Sequence, residues 1–225
     1  MNPVIGYWTY RGNVEPILLL LKQADQPLQM KTYKQGVGRD YLGIEWPTDK
    51  KQLNLFYPNL PYIVDGDIKI SQTLAILRYL ARKHDLGPRN ELETIRSDIA
   101  EQGAFEMMCS LWSAWYVETN QEYENRRPGL ESYLVEKLVH TEDVLDSNKF
   151  ILGDRVTYVD FLLYSTLDYI RLYKASLLDS HENLRKFLDR IEALPKIKPY
   201  FDDENFTRFP IIGSRAKFGH YKPVV

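Results

Sequence analysis

The segment Asp85-Leu86-Gly87-Pro88-Arg89-Asn90 constrains this chain more than any other feature, because the sequence pattern changes across it. A glycine and a proline between two helical patterns make it the one convincing linker. Before it, strand-like and helix-like runs alternate. Val4-Ile5-Gly6-Tyr7-Trp8 is β-branched and aromatic, and residues 28–34 offer a second strand. Between them Asn13 is placed to cap a helix with Pro16 in its first turn. Val14, Ile17, Leu18 and Leu21 then follow the i, i+3, i+4, i+7 spacing of one buried face. Pro61-Tyr62-Ile63-Val64 and Ile68-Lys69-Ile70 read as strands around the hairpin signal Asp65-Gly66-Asp67, with a helix over 73–83. That order, β-α-β then β-β-α, predicts a small mixed sheet with helices.

After the linker the strand signals fade. Helical patterns cover residues 91–117, 130–144, 158–173 and 184–194, with Ile95, Ile99, Gln102 and Glu106 along one stripe of the first. Thr157-x-x-Asp160 has the form of a capping box, in which threonine oxygen and carboxylate satisfy opposed orphan amides. The expected organisation is therefore an α/β domain over residues 1–85 and an all-α domain over 91–225.

Composition removes several classes of function. With 29 basic against 31 acidic residues, the formal charge of −2 supplies no attraction for nucleic acid or a membrane surface. No apolar run approaches the roughly 20 residues of a membrane span. The opening Met1-Asn2-Pro3-Val4 lacks the basic and apolar segments of a secretory signal, and a single cysteine, Cys109, suits a reducing compartment. A cytoplasmic location is expected, with Asn205-Phe206-Thr207 a chance sequon. Cys109 is expected to be a small buried hydrophobe rather than a nucleophile. His84, His140, His181 and His220 are scattered without ligand spacing, so no metal site is expected. Gly36-x-Gly38-x-x-Tyr41 lacks the third glycine of a dinucleotide loop.

Taken singly, the chemistry-bearing residues say little: a strand tyrosine is ordinarily a packing aromatic. In order and together they say more. Gly6-Tyr7-Trp8-x-x-Arg11-Gly12, then Tyr57-Pro58-Asn59-Leu60-Pro61-Tyr62 with Asp65-Gly66, then Ile70-Ser71-Gln72-Thr73 and the run from Ala75 to His84, and finally Gly153-Asp154-Arg155-Val156-Thr157-Tyr158-Val159-Asp160-Phe161, span nearly the whole chain. This series resembles the glutathione transferase superfamily, and its mu class in particular.

The resemblance implies a thioredoxin-like N-terminal domain, an all-α C-terminal domain, and conjugation of reduced glutathione to hydrophobic electrophiles in detoxification. Glutathione is then a co-substrate, and no cofactor is expected. Its thiol has the pKa of a free cysteine, about 8.5, and only the thiolate is a good nucleophile. By resemblance Tyr7 is the catalytic residue, its hydroxyl donating to the sulfur anion and so lowering the thiol pKa. One pKa unit is about 1.4 kcal/mol, within the reach of a single charge-assisted hydrogen bond.

The resemblance also assigns glutathione binding to Tyr7, Trp8, Trp46, Lys50, Asn59, Leu60, Gln72, Thr73 and Glu106 of the partner subunit. Leu60-Pro61 is the expected cis peptide, and the helix starting at Gln72-Thr73 offers free amides to the γ-glutamyl carboxylate. Tyr10, Asn13, Phe105, Trp112, Tyr116 and Ile212 are the expected electrophile pocket. Tyr57 and Arg78 take the family's dimer-interface positions, implying a homodimer. The chain departs from the class at Gly43, where an arginine is usual, and at Asn13, where a leucine is. Thr73 for serine and Glu106 for aspartate are smaller changes. Rival readings are a weakly catalytic or non-catalytic binding protein for apolar ligands, a lens-type structural protein, and a glutathione-dependent isomerase.

Overall fold

The computed structural model describes residues 2–36 and 41–221. Gly38 of the glycine pattern noted above lies outside them. Four strands, β1 (Val4–Trp8), β2 (Gln29–Tyr33), β3 (Tyr62–Asp65) and β4 (Ile68–Ser71), form one sheet in the order β2-β1-β3-β4. β1 runs parallel to β2 and antiparallel to β3, and β3 pairs antiparallel with β4 through the Asp65-Gly66-Asp67 hairpin. Alternation along β1 puts Ile5 and Tyr7 on one face and Gly6 on the other. Gly6 is required there, since a Cβ would lie 2.0 Å from the ring of Tyr62 across the β1–β3 pair.

Helices α1 (Glu15–Gln23), α2 (Glu45–Gln52) and α3 (Thr73–Lys83) complete this half. The rest is helical: α4 (Glu91–Trp115), α5 (Asn120–Leu145), α6 (Tyr158–Tyr173), α7 (Glu182–Glu192) and the short α8 (Lys198–Asp202). The central helix is α6. Every residue from Tyr158 to Ile170 is buried, as expected of a helix that neighbours surround. It packs against α4 and α7 on one side and against α1 and α3 on the other, so it joins the two halves.

Polar groups on α6 are matched. At its start Asp160 accepts from the amides of Ile151 and Thr157, both at 2.8 Å, and from the Thr157 hydroxyl at 2.9 Å. Two turns on, Asp168 pairs with Arg11 at 2.8 Å, Arg171 at 2.6 Å and Arg208 at 3.0 Å, while Arg11 also holds buried Glu15 at 3.0 Å. Burial alone would raise the Asp168 pKa, but the three guanidinium groups outweigh it and hold the carboxyl below its ordinary range.

Four sequence expectations need correction. Asn13 caps nothing: Gly12–Val14 is a 3-10 turn, α1 starts at Glu15, and its N-cap is Val14. The helix expected over 130–144 begins ten residues earlier, at Asn120, where Thr119 caps it by accepting from the Glu122 amide at 3.1 Å. That first stretch is mostly polar or charged and contains Pro128, so it carries no apolar stripe. α2 was not anticipated at all, and its only buried residue is Trp46. Cys109 is exposed rather than buried. Partial desolvation by its surroundings, aided by nearby Glu106, raises its thiol pKa.

Candidate functional site

Between the sheet's C-terminal end and the tip of the helical half lies a cleft of about 850 Å³. Trp8 ends β1 and Tyr10 follows it into the cleft, Trp46 comes from α2, and Asn59 from the loop before β3. Across from them stand Tyr116 and the C-terminal segment, including Ser214, Arg215 and Lys217. Five of the residues singled out from sequence thus meet in one cavity, from segments more than 100 positions apart.

Tyr7 lies beneath this surface, 3% exposed. Its hydroxyl accepts a hydrogen bond from the amide of Asn13 at 2.9 Å. The backbone turns back on itself there because Gly12 adopts φ +35°, a conformation that favours glycine. Tyr169 on α6 fixes the same turn by donating to the Gly12 carbonyl at 2.8 Å. Burial raises the phenol's pKa well above its ordinary value, despite the opposing Asn13 amide. At physiological pH Tyr7 is therefore a neutral O–H, able to donate to an anion.

Asn13 is tied at three points. Its amide serves Tyr7, its carbonyl accepts from the Thr73 hydroxyl at 3.3 Å, and its side-chain oxygen accepts from Trp112 Nε1 at 2.9 Å. A leucine could make the first two contacts but not the third. The departure from the class at Asn13 is thus coupled to an indole on α4.

One side of the cleft is an aromatic box. Trp46 is stacked on Tyr62, with centroids 6.0 Å apart at 16°, and meets Tyr33 edge-on at 5.6 Å. Tyr33 hydrogen-bonds Asp49 at 2.7 Å and the Tyr62 hydroxyl at 2.8 Å, fixing the floor below the indole. Asn59 Oδ1 accepts from the Leu60 amide at 2.9 Å, and the Leu60-Pro61 bond is cis. Gln72 precedes α3 with φ +76°.

Other expected residues lie elsewhere. Lys50 is exposed on α2, and Glu106 is exposed, accepting from Gln102 at 3.1 Å. Phe105 and Trp112 are half-buried on α4, and Ile212 is buried behind the cleft wall. Arg78 points at its own chain, its Nε donating to buried Glu101 at 2.9 Å, while the Tyr158 hydroxyl donates to the same carboxylate at 2.9 Å. Tyr57 stands out in solvent.

Sequence reasoning missed the rim. Arg215 lies over the ring of Tyr41 at 4.6 Å, and the Ser214 amide donates to Gln35 at 3.3 Å, so the C-terminal segment closes one side of the cleft. No spacing rule marks these contacts. Gly43 has its own reason: φ is +64°, and a Cβ would lie 2.6 Å from the Lys34 carbonyl. The backbone here excludes the arginine usual in the class, and Arg215 and Lys217 bring positive charge to the opposite wall. Among the described residues no group of three His, Cys, Asp or Glu side chains could hold a metal ion.

A four-stranded mixed sheet flanked by helices, a cis proline before its antiparallel edge and an all-helical second half together define the thioredoxin-like transferase architecture. The description "Glutathione S-transferase, N-terminal domain" matches residues 3–82, and "Glutathione S-transferase, C-terminal domain" matches 105–204. Glutathione S-transferase Mu 1 of Mus musculus is 38% identical over 98% of this chain and 100% of its own. Glutathione S-transferase 2 of Gallus gallus is 36% identical over 99% of this chain and 100% of its own. Among solved structures, the glutathione S-transferase Blo t 8 superposes with a TM-score of 0.89 at 31% identity, covering 96% of this chain and 100% of that one. The chain belongs to the glutathione S-transferase family, in its mu class.

Proposed function

We propose that this protein conjugates glutathione to hydrophobic electrophiles, with Tyr7 as the catalytic residue. The observation that carries the reading is the Tyr7 hydroxyl itself: buried, neutral, braced by the Asn13 amide and one residue from Trp8 of the cleft lining. A neutral phenol beside the glutathione sulfur donates to the thiolate and not to the thiol's lone pairs with equal strength, so the anion is favoured and the thiol pKa falls. The thiol proton leaves to solvent. The sulfur lone pair then forms a C–S bond at the electrophilic carbon while the leaving group departs with its electrons.

The remaining glutathione contacts follow the cleft. Trp8, Trp46, Lys50 and Asn59 serve the glycyl end, the Leu60 backbone pairs with the cysteinyl unit, and Gln72 and Thr73 at the start of α3 receive the γ-glutamyl carboxylate. Tyr10, Asn13, Phe105, Trp112, Tyr116 and Ile212 shape the electrophile side, whose aromatic character suits flat apolar substrates. No cofactor is required beyond the co-substrate. A cytoplasmic location fits this chemistry, and no helix among the described residues is long and apolar enough to cross a membrane.

The working unit is a homodimer. Phe56 and Tyr57 are 93% and 74% exposed on the loop before β3, an unusual position for two adjacent rings. A matching apolar hollow of about 140 Å³ opens between α4 and α5, lined by Ile99, Ala100, Gly103, Met107 and Val144. Exposed Leu92, Ile95, Val135 and Val139 extend the same helices' apolar surface. An aromatic from one subunit fits the hollow of the other, and Glu106 of the partner subunit would then approach the γ-glutamyl amine.

The test is conjugation of glutathione to a generic aryl halide, comparing wild type with Tyr7→Phe across pH. Tyr7→Phe is expected to lose about tenfold or more near neutrality, the equivalent of one pKa unit of thiol activation, and to recover as pH rises. An inactive wild type that still bound apolar ligands would overturn the enzyme reading.

A further inference from the structure

A peptide unit is planar, so its carbonyl and its N–H point to opposite sides of one rigid plate. The unit joining Gly12 to Asn13 is gripped on both sides. Its carbonyl accepts from the Tyr169 hydroxyl on α6 at 2.8 Å, and its N–H donates to the Tyr7 hydroxyl at 2.9 Å. Two phenols, one on β1 and one on α6, thus meet through a single amide.

The neighbouring units are fastened elsewhere. The Gly12 amide donates to the Ile211 carbonyl at 2.7 Å, and the Asn13 carbonyl accepts from the Thr73 hydroxyl at 3.3 Å. Those bonds leave the tilt of the middle unit open. A peptide can turn about the axis through its flanking Cα atoms with little movement of its neighbours. Gly12, at φ +35° and without a side chain, resists that turn least. Nor can α1 supply the carbonyl's i+4 partner, because residue 16 is proline and has no N–H. Tyr169 fills that place. Its ring is itself held, fully buried, 5.5 Å from the Trp112 ring and 5.2 Å from the Arg11 guanidinium carbon.

We propose that Tyr169 is a positioning residue for glutathione activation: it sets the Gly12–Asn13 peptide at the tilt that aims the Asn13 N–H at the Tyr7 oxygen. The effect is electronic as well as geometric. A carbonyl that accepts a hydrogen bond makes the N–H of the same amide a stronger donor. The Tyr7 oxygen, accepting from that N–H, in turn gives its own O–H more strongly to the sulfur anion. Every link from Tyr169 through the peptide and Tyr7 to the thiolate runs in the same sense. The helical half thereby helps to lower the pKa of a thiol bound beside the sheet.

The charges around Tyr169 are committed to one another. Arg11 is bound to Glu15 and Asp168, and Asp168 also to Arg171 and Arg208. Burial keeps the Tyr169 phenol protonated, as it does Tyr7, Tyr10 and Tyr116, so none of these phenols changes charge near neutrality.

This inference rests on the proposed transferase activity, and its test separates the two. The ultraviolet absorbance of bound thiolate is titrated without electrophile in wild type, Tyr7→Phe, Tyr169→Phe and the double variant, and kcat and KM are measured beside it. Tyr169→Phe keeps the buried ring and removes only the donor. It is expected to move the thiol titration to higher pH, leaving about threefold less thiolate near neutrality. The kcat should fall and recover as pH rises, with the KM for glutathione unchanged. In the Tyr7→Phe background the same change is expected to move the titration no further, because the path ends at the missing hydroxyl. A Tyr169→Phe titration equal to wild type, while Tyr7→Phe shifts, would overturn this proposal alone. So would equal shifts in both backgrounds, which mark a general loosening of the cleft. Should Tyr169→Phe fail to fold, a tyrosine fluorinated beside its hydroxyl takes position 169 and decides the matter. Its O–H is a stronger donor, so the titration is expected at lower pH than in wild type, and one at or above the wild-type pH overturns the proposal. A wild type with no thiolate titration below that of free glutathione would overturn the transferase reading and this proposal with it.

Discussion

Gly12 shows how little room surrounds the Tyr7 hydroxyl. Its φ of +35° and the 2.5 Å approach of the Tyr7 oxygen to an added Cβ leave no space for a side chain. Gly12→Ala is expected to displace the Tyr7 hydroxyl or twist the turn. Conjugation should fall at least tenfold, the cost of about one pKa unit of misplaced hydrogen bonding, with a smaller loss of thermal stability. Activity within twofold of wild type would show that the turn can relax. At this scale the sequence spoke through motifs. Tyr7, Trp8 and Gly12 were legible because they sit in one short block. The Asn13–Trp112 bond was not, because it joins residues 99 positions apart and neither residue type demands the other. The exposure of Cys109 was equally hidden: it depends on which side of α4 lacks a neighbour within the chain.

Secondary structure was most legible where periodicity was strong. The expected bounds of α3 and α6, residues 73–83 and 158–173, coincide with those observed. Both carry a clear start signal and regular apolar positions. α2 escaped notice because Glu45-Trp46-Pro47-Thr48-Asp49-Lys50-Lys51-Gln52 has one apolar anchor and no stripe. The early part of α5 escaped because helix propensity and i, i+4 ion pairs such as Arg126–Glu122, 2.7 Å, support it without burial. At the start of α6, burial raises the Asp160 pKa to about 6, against the lowering pull of its Ile151 and Thr157 partners. For an acid whose folded-state pKa is raised, ionisation opposes folding. Its contribution is most favourable below the unfolded value near 3.8 and declines as pH rises through about 6. Asp160→Asn places an NH₂ or a weaker acceptor against these donors. Denaturant unfolding should show it less stable than wild type by about 1–3 kcal/mol, with the gap narrowing from pH 4 to pH 6. A gap that widened over that range would contradict the raised pKa.

On the scale of the whole molecule, one surface joins the two halves and another is the proposed dimer contact. One is internal: α1 and α3 lie on α6, and Arg11 from the first half is neutralised by Asp168 from the second. Such a buried pair makes the halves interdependent, since loss of either partner would strand a charge at a cost of about 3–5 kcal/mol. The other is external, the exposed Phe56 and Tyr57 and the hollow between α4 and α5. Replacing both rings, Phe56→Ser with Tyr57→Ala, is expected to weaken self-association at least tenfold by sedimentation, since burying either ring contributes about 1.5–3 kcal/mol. A doubly substituted protein that remained as tightly dimeric as wild type would place the interface elsewhere.

The sequence by itself determined the order of elements, the change from mixed sheet to helices at Asp85–Asn90, and the family to which the chain belongs, because these depend on local periodicity, turn chemistry and contiguous motifs. Only the tertiary structure decided where the chain comes back to the cleft. The C-terminal wall at Ser214–Lys217 and the indole that grips Asn13 are products of packing between distant segments. Their energies arise from proximity, burial and shared protons, and those quantities do not exist until the two halves have closed on α6.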